Sequence, residues 1–171
     1  IKKSVKLHPK DAEIHYSLGI TLQQLGKLRE AKASYLKATE LKSGFAKAHY
    51  RLGNTLKALS ELKDAENSYR RATELKSDYY LAHYNLGLAL QEMGRLNDAE
   101  ACYRRVIELK PGFAEVHNNL GFLLNELGRL EESEKNLNQA IMLSPDFAEA
   151  HNNLGITLKE LGRLHDAEKS L

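Results

Sequence analysis

Five histidines stand 34 residues apart in this chain, His15, His49, His83, His117 and His151, and a column of imidazoles first raises the question of a metal. Ligands of one zinc ion converge to ~2 Å from it. Helices that stack in register are separated by roughly 10 Å, so equivalent histidines of successive units cannot share an ion. The column therefore reads as a packing position in the core, and His8 and His165, which stand outside it, read as surface residues. The single cysteine, Cys102, falls where other units carry Ser34, Ser68, Asn136 and Ser170, and reads as a small structural residue. No Gly-rich phosphate loop, Gly-x-Ser-x-Gly, His-Glu-x-x-His or Cys-x-x-Cys occurs, and the carboxylates fall on helix ends and exposed faces. These patterns predict no catalytic residue, no metal and no cofactor.

A second column consists of amides. With units numbered from Ala12, Ala46, Tyr80, Ala114 and Ala148, position 6 reads Ser17, Arg51, Asn85, Asn119 and Asn153. Asparagine is a modest helix former because its side chain competes for backbone hydrogen bonds, so three in register within a helix require a reason. An amide presents a donor and an acceptor together, which matches a peptide unit whatever side chains that peptide carries. Position 9 beside it reads Ile20, Asn54, Leu88, Phe122 and Ile156, and position 5 at the edge reads Tyr16, Tyr50, Tyr84, Asn118 and Asn152. Apolar side chains interleaved with amides on a face opposite the core describe a peptide-binding groove. The predicted binding residues are Asn85, Asn119, Asn153, Asn118, Asn152, Leu88, Phe122, Ile156, Arg51 and Asn54.

Two helices per unit are needed to place these columns. Positions 4, 7, 8, 11 and 14 are apolar or small, the three-and-four spacing of one side of a helix, and positions 20, 24, 27 and 30 repeat it in a second helix. Position 15 between them is Gly26, Gly94, Gly128 and Gly162, with Ser60 the exception. Glycine suits a helix C-terminus because positive φ costs it little. Pro9, Pro111 and Pro145 mark the stop before the next unit. The glycine at position 8 and the alanine at position 20 are small where two helices cross closely. One pair buries only one side of each helix, so units must stack into a solenoid. Residues 1–11 read as the end of a preceding repeat, 12–45, 46–79, 80–113 and 114–147 as complete repeats, and 148–171 as a partial one, the whole forming a single array.

Leu-Gly at positions 7 and 8, alanine at 20, Tyr35, Tyr69 and Tyr103 at 24 and proline at 32 resemble the tetratricopeptide repeat family, over essentially the whole chain. Histidine at position 4, and Ser43 and Ser77 at position 32, depart from its pattern. The resemblance implies an all-α, right-handed superhelix of antiparallel helix pairs whose first helices line a concave surface. It also implies a protein-interaction module for an extended peptide or protein segment. Asn85, Asn119 and Asn153 look like the asparagine ladder of the O-GlcNAc transferase repeat region, which holds the backbone of an extended substrate. Ser17 and Arg51 interrupt that ladder. The alternative it implies is the substrate-recruiting arm of a larger enzyme, such as an O-GlcNAc-transferase-like glycosyltransferase. Lys47 and Arg51 resemble part of the family's carboxylate clamp, but Ser17 stands where the clamp has asparagine.

Composition narrows the partners. A net charge of +2 gives no reason to expect nucleic acid, and no apolar run approaches the ~18 residues that span a bilayer. Residues 1–79 carry 16 basic against 9 acidic side chains and residues 114–171 carry 5 against 10. Oppositely charged ends predict weak end-to-end self-association that salt would screen. One cysteine and no charged-then-apolar leader fit an intracellular, cytoplasmic setting.

Overall fold

The structure is a computed structural model that describes residues 10–163. Every regular element among them is an α-helix. They are α1 (Ala12–Gln24), α2 (Leu28–Leu41), α3 (Ala46–Ala58), α4 (Leu62–Leu75), α5 (Tyr80–Glu92), α6 (Leu96–Leu109), α7 (Ala114–Glu126), α8 (Leu130–Leu143) and α9 (Ala148–Glu160). The first helix of each repeat begins on the residue from which that repeat was numbered. Most of the expected remnant 1–11, the end of the partial repeat from 164, and His8 and His165 lie outside the described residues. No described helix is long and apolar enough to cross a membrane.

The turn inside each pair repeats one hydrogen-bond pattern. The Lys27 amide donates to the Leu22 carbonyl at 2.9 Å and the Gly26 amide to Gln23 at 3.0 Å. Glu61, Arg95, Arg129 and Arg163 donate in the same way to Leu56, Leu90, Leu124 and Leu158. This closure satisfies the last carbonyls of the first helix and requires a left-handed residue inside the turn. Gly26, Gly94, Gly128 and Gly162 supply it with φ between 71 and 76°, and Ser60 is forced to φ 61°.

Three of the pairs are seen to cross with a glycine against a large side chain. A Cβ on Gly19 would lie 2.6 Å from the ring of Tyr35, one on Gly53 2.6 Å from Tyr69, and one on Gly121 2.6 Å from Cγ of Leu137. Position 8 therefore meets position 24, and the small residue at 20 buries beside it: Ala31, Ala65, Ala99 and Ser133 are fully buried. Ser133, the one hydroxyl in that column, donates to the Gly121 carbonyl at 2.8 Å and stands 3.0 Å from the hydroxyl of Thr157 in the next repeat.

Two compact units share the chain, Ile1–Ala89 and Leu90–Leu171, with the division inside α5. In the first, α1 packs on α2, α2 on α3 and α3 on α4; in the second, α6 packs on α7, α7 on α8, and α9 on both α7 and α8. These contacts join near neighbours in sequence, the arrangement in which a repeat completes the core of the one beside it.

Candidate functional site

The histidine column braces the joints between repeats. Nε2 of His49, His83, His117 and His151 lies 3.2, 3.0, 3.0 and 2.8 Å from the backbone carbonyls of Ser43, Ser77, Pro111 and Pro145. A carbonyl only accepts, so Nε2 carries the proton. The acceptor lies six residues earlier, at position 32, and a serine serves as well as a proline because the backbone does the accepting. His117 is buried and the other three are half-buried. Burial holds the His49 imidazole below its ordinary range, opposed by its bond to Ser43. Among the described residues no group of three or more His, Cys, Asp and Glu side chains converges as a metal ion requires.

The buried tyrosines at position 24 decide where several of the amides point. A phenol taken out of water needs an acceptor. Tyr35 donates to Gln23 at 3.0 Å and Tyr103 to Gln91 at 2.7 Å, each glutamine standing at position 12 of its own repeat. The second repeat has Lys57 there, which cannot accept, and Tyr69 donates instead to Asn54 Oδ1 at 2.9 Å. Asn85 Nδ2 donates to that same oxygen at 3.0 Å and to the Tyr50 hydroxyl at 3.1 Å. Asn54, predicted to face a ligand, thus has its oxygen turned inward as a structural acceptor.

A second amide network lies in the C-terminal unit. Asn153 Nδ2 donates to Asn118 Oδ1 at 2.9 Å, and Asn118 Nδ2 donates to Glu149 Oε1 at 3.1 Å, with a longer approach of 3.4 Å to Asn119 Oδ1. Asn118 is 1% exposed, which corrects its assignment as a groove residue. It lies under the next first helix, where Asn153 and Glu149 cover it, and it positions Asn153 without reaching a ligand. Asn152, at the equivalent place in α9, is exposed, and no first helix follows it among the described residues. Asn153 is 8% exposed, while Phe122 and Ile156 are 42% and 44% exposed. Asn119, Asn85, Leu88 and Arg51 are half-buried. The structure thus gathers Asn118, Asn119 and Asn153 in one unit and Asn54 with Asn85 in the other.

One edge escaped the sequence reading. Tyr16 packs against Phe45 and Tyr50 against Tyr79 as tilted rings with centroids 4.9 Å apart, and Lys42 lies 4.5 Å over the Phe45 ring. The signal was present as an aromatic column at position 34, Phe45, Tyr79, Phe113 and Phe147. On the other side of the C-terminal unit a cleft of about 580 Å³ is lined by Arg104, Ile107, His117, Leu120, Glu132 and Lys135. Arg104 there is paired with Glu132 at 3.1 Å and His117 with its carbonyl, and the first-helix face, which exposes Phe122 and Ile156, is the better candidate.

Family models described as tetratricopeptide repeat match residues 80–113, and residues 1–33 and 102–135. One described as TPR repeat matches 53–94 and 123–162. The chain belongs to the tetratricopeptide repeat family. No curated protein matches it. Among solved structures it is similar to YrrB, described as a TPR protein with an unusual peptide-binding site, at 25% identity and TM-score 0.86, covering 99% of this chain and 87% of that one. It is similar in fold to MamA from Desulfovibrio magneticus at 18% identity and TM-score 0.88, covering 93% and 90% of the two chains. PilF from Pseudomonas aeruginosa gives 22% identity and TM-score 0.81 over 93% and 72%.

Proposed function

We propose that this tetratricopeptide repeat chain is a protein-interaction module that holds an extended peptide along the outward face of its first helices, with residues 1–171 acting as one array. The observation that carries the reading is the pair Phe122 and Ile156. They occupy equivalent places on α7 and α9, helices that touch, and about two-fifths of each is open to water. Apolar surface displayed in register beside amides is what a partner covers. The likeness to YrrB, a TPR protein described as having a peptide-binding site, supports the same reading.

The hydrogen bonding defines what each amide can offer. Asn153 gives one amide proton to Asn118 and keeps its oxygen for a peptide N–H, whereas Asn85 spends both protons internally and has only its oxygen left. Each such bond contributes ~0.5–1.5 kcal/mol net, so selectivity has to come from the apolar pair and the flanking charges. The test is a chain with Phe122→Ala, Ile156→Ala and Asn119→Ala, measured against peptides selected on the parent from a random display library. We expect an unchanged helical circular dichroism spectrum and a loss of roughly tenfold or more in affinity. Undiminished binding by a folded variant would move the function to another face.

A further inference from the structure

Positions 2, 6, 9 and 13 share the outward face of a first helix. In α7 they read Glu115, Asn119, Phe122 and Glu126, and in α9 Glu149, Asn153, Ile156 and Glu160. Each exposed apolar side chain therefore stands between two glutamates. All four carboxylates are exposed, and none of them is in an ion pair among the described residues. Glu149 and Glu160 accept only from the neutral amides of Asn118, at 3.1 Å, and Asn125, at 2.8 Å, which leaves their charge uncancelled.

Most glutamates on the second helices of the same unit are different, the exposed Glu131 being in no ion pair among the described residues. There Glu100 and Glu132 pair with Arg104 and Arg129, Glu108 with Arg105, and Glu134 with Arg163, at 2.7 to 3.1 Å. Negative charge is thus left unbalanced on the face that also exposes the apolar pair. Nor is that charge a requirement of the fold, because α3 carries Lys47, Arg51, Asn54 and Ala58 at the same four positions.

We infer that the face of α7 and α9 takes a basic peptide, one whose apolar side chains seat on Phe122 and Ile156 while lysines or arginines on either side meet Glu115, Glu126, Glu149 and Glu160. The inference rests on the function proposed above and adds the chemistry of the partner. Carboxylates that repel one another in the free chain gain an opposite charge in the complex, which favours cationic partners and rejects anionic ones. Stacked helices lie roughly 8–10 Å apart, and a polyproline II chain advances ~3.1 Å per residue, so apolar residues three apart match the two seats.

The experiment uses two labelled peptides of equal length, each with two leucines three positions apart, one flanked by arginines and one by glutamates. Their binding is followed by fluorescence anisotropy to the whole chain, to Glu115→Gln/Glu126→Gln and to Phe122→Ala. The basic peptide is expected to bind more weakly to the double variant by roughly three- to tenfold, and to Phe122→Ala by at least as much, while circular dichroism stays the same. Its affinity falls as salt rises. A basic peptide indifferent to the glutamine substitutions, or an acidic peptide that answers to Phe122→Ala more strongly than the basic one does, overturns this inference and leaves peptide binding standing. If no peptide of any charge answers to Phe122→Ala, the proposed function falls with it. A salt-sensitive dimer in sedimentation that the basic peptide displaces would make a second copy of the chain the occupant, and would overturn the inference as well.

Discussion

The hydroxyl of Tyr69 donates to the side-chain oxygen of Asn54 at 2.9 Å, inside a repeat whose usual acceptor position is taken by Lys57. An unpaired buried phenol costs about 1–3 kcal/mol, so Asn54→Leu is expected to destabilise the chain by that amount. Lys57→Gln in the same background recreates the acceptor that Gln23 and Gln91 provide, and is expected to restore at least half of the loss. Chemical denaturation of the three chains decides. A second substitution that restores nothing would mean that Asn54 acts through Asn85 instead.

Gly121→Leu is expected to destabilise by ~1–3 kcal/mol or more, because even a Cβ there would stand 2.6 Å from the fully buried Leu137. Glu131→Ala, an exposed change in the first turn of α8, stays within about 0.5 kcal/mol of the parent. Equal melting temperatures would show that the two helices do not cross there.

Ser60 holds φ 61° in a turn where its four counterparts are glycines. Left-handed backbone costs a residue with a Cβ about 1–2 kcal/mol, while glycine loses more chain entropy on folding. Ser60→Gly should therefore raise stability by about 0.5–1 kcal/mol, and Ser60→Ala should not. A melting temperature that falls with the glycine would contradict the strain.

Burial pushes the phenol of Tyr35 from an ordinary 10.0 up to about 12, against the pull of Arg51, and Tyr79 likewise to about 12; Tyr69 is raised in the same direction. The unfolded chain therefore releases phenolic protons first as pH rises. The stability these groups contribute is fully present below about pH 10 and is lost as pH climbs toward 12. Tyrosinate absorbance should rise in two stages, the later one together with loss of helical circular dichroism. A single stage near 10 with helices intact would show that these rings are accessible.

Periodicity made most of the fold legible, because a column that recurs every 34 residues reports which side of a helix faces the core. The glycine at position 8 was read as a close crossing, and Gly53 against Tyr69 bears this out. Its opposite number at position 24 was not foreseen, since spacing along one helix says nothing about what the other places across from it. The same gap explains the amides. Their register in Asn85, Asn119 and Asn153 was plain, but Asn85 reaches back 31 and 35 residues to Asn54 and Tyr50, and Asn153 35 residues to Asn118. Those partners are set by how one helix lies on the next. His49 reads as a packing residue from its column, yet what it packs against is a carbonyl, which sequence patterns do not display.

The buried hydroxyl of Ser133 makes the repeats less interchangeable than their common length implies. A segment 114–147 cut out and reinserted elsewhere would bring with it a hydroxyl whose proton stays with the Gly121 carbonyl of its own repeat, but whose outer side is matched by a polar residue at position 10 of whatever follows, as Thr157 now supplies. Segments beginning at Ala12 or Ala46 offer Thr21 or Thr55 there, whereas those beginning at Tyr80 or Ala114 offer Ala89 or Leu123. Shuffling this protein is therefore an operation with better and worse matched junctions, and a designer extending it would do well to copy the junctions along with the parts.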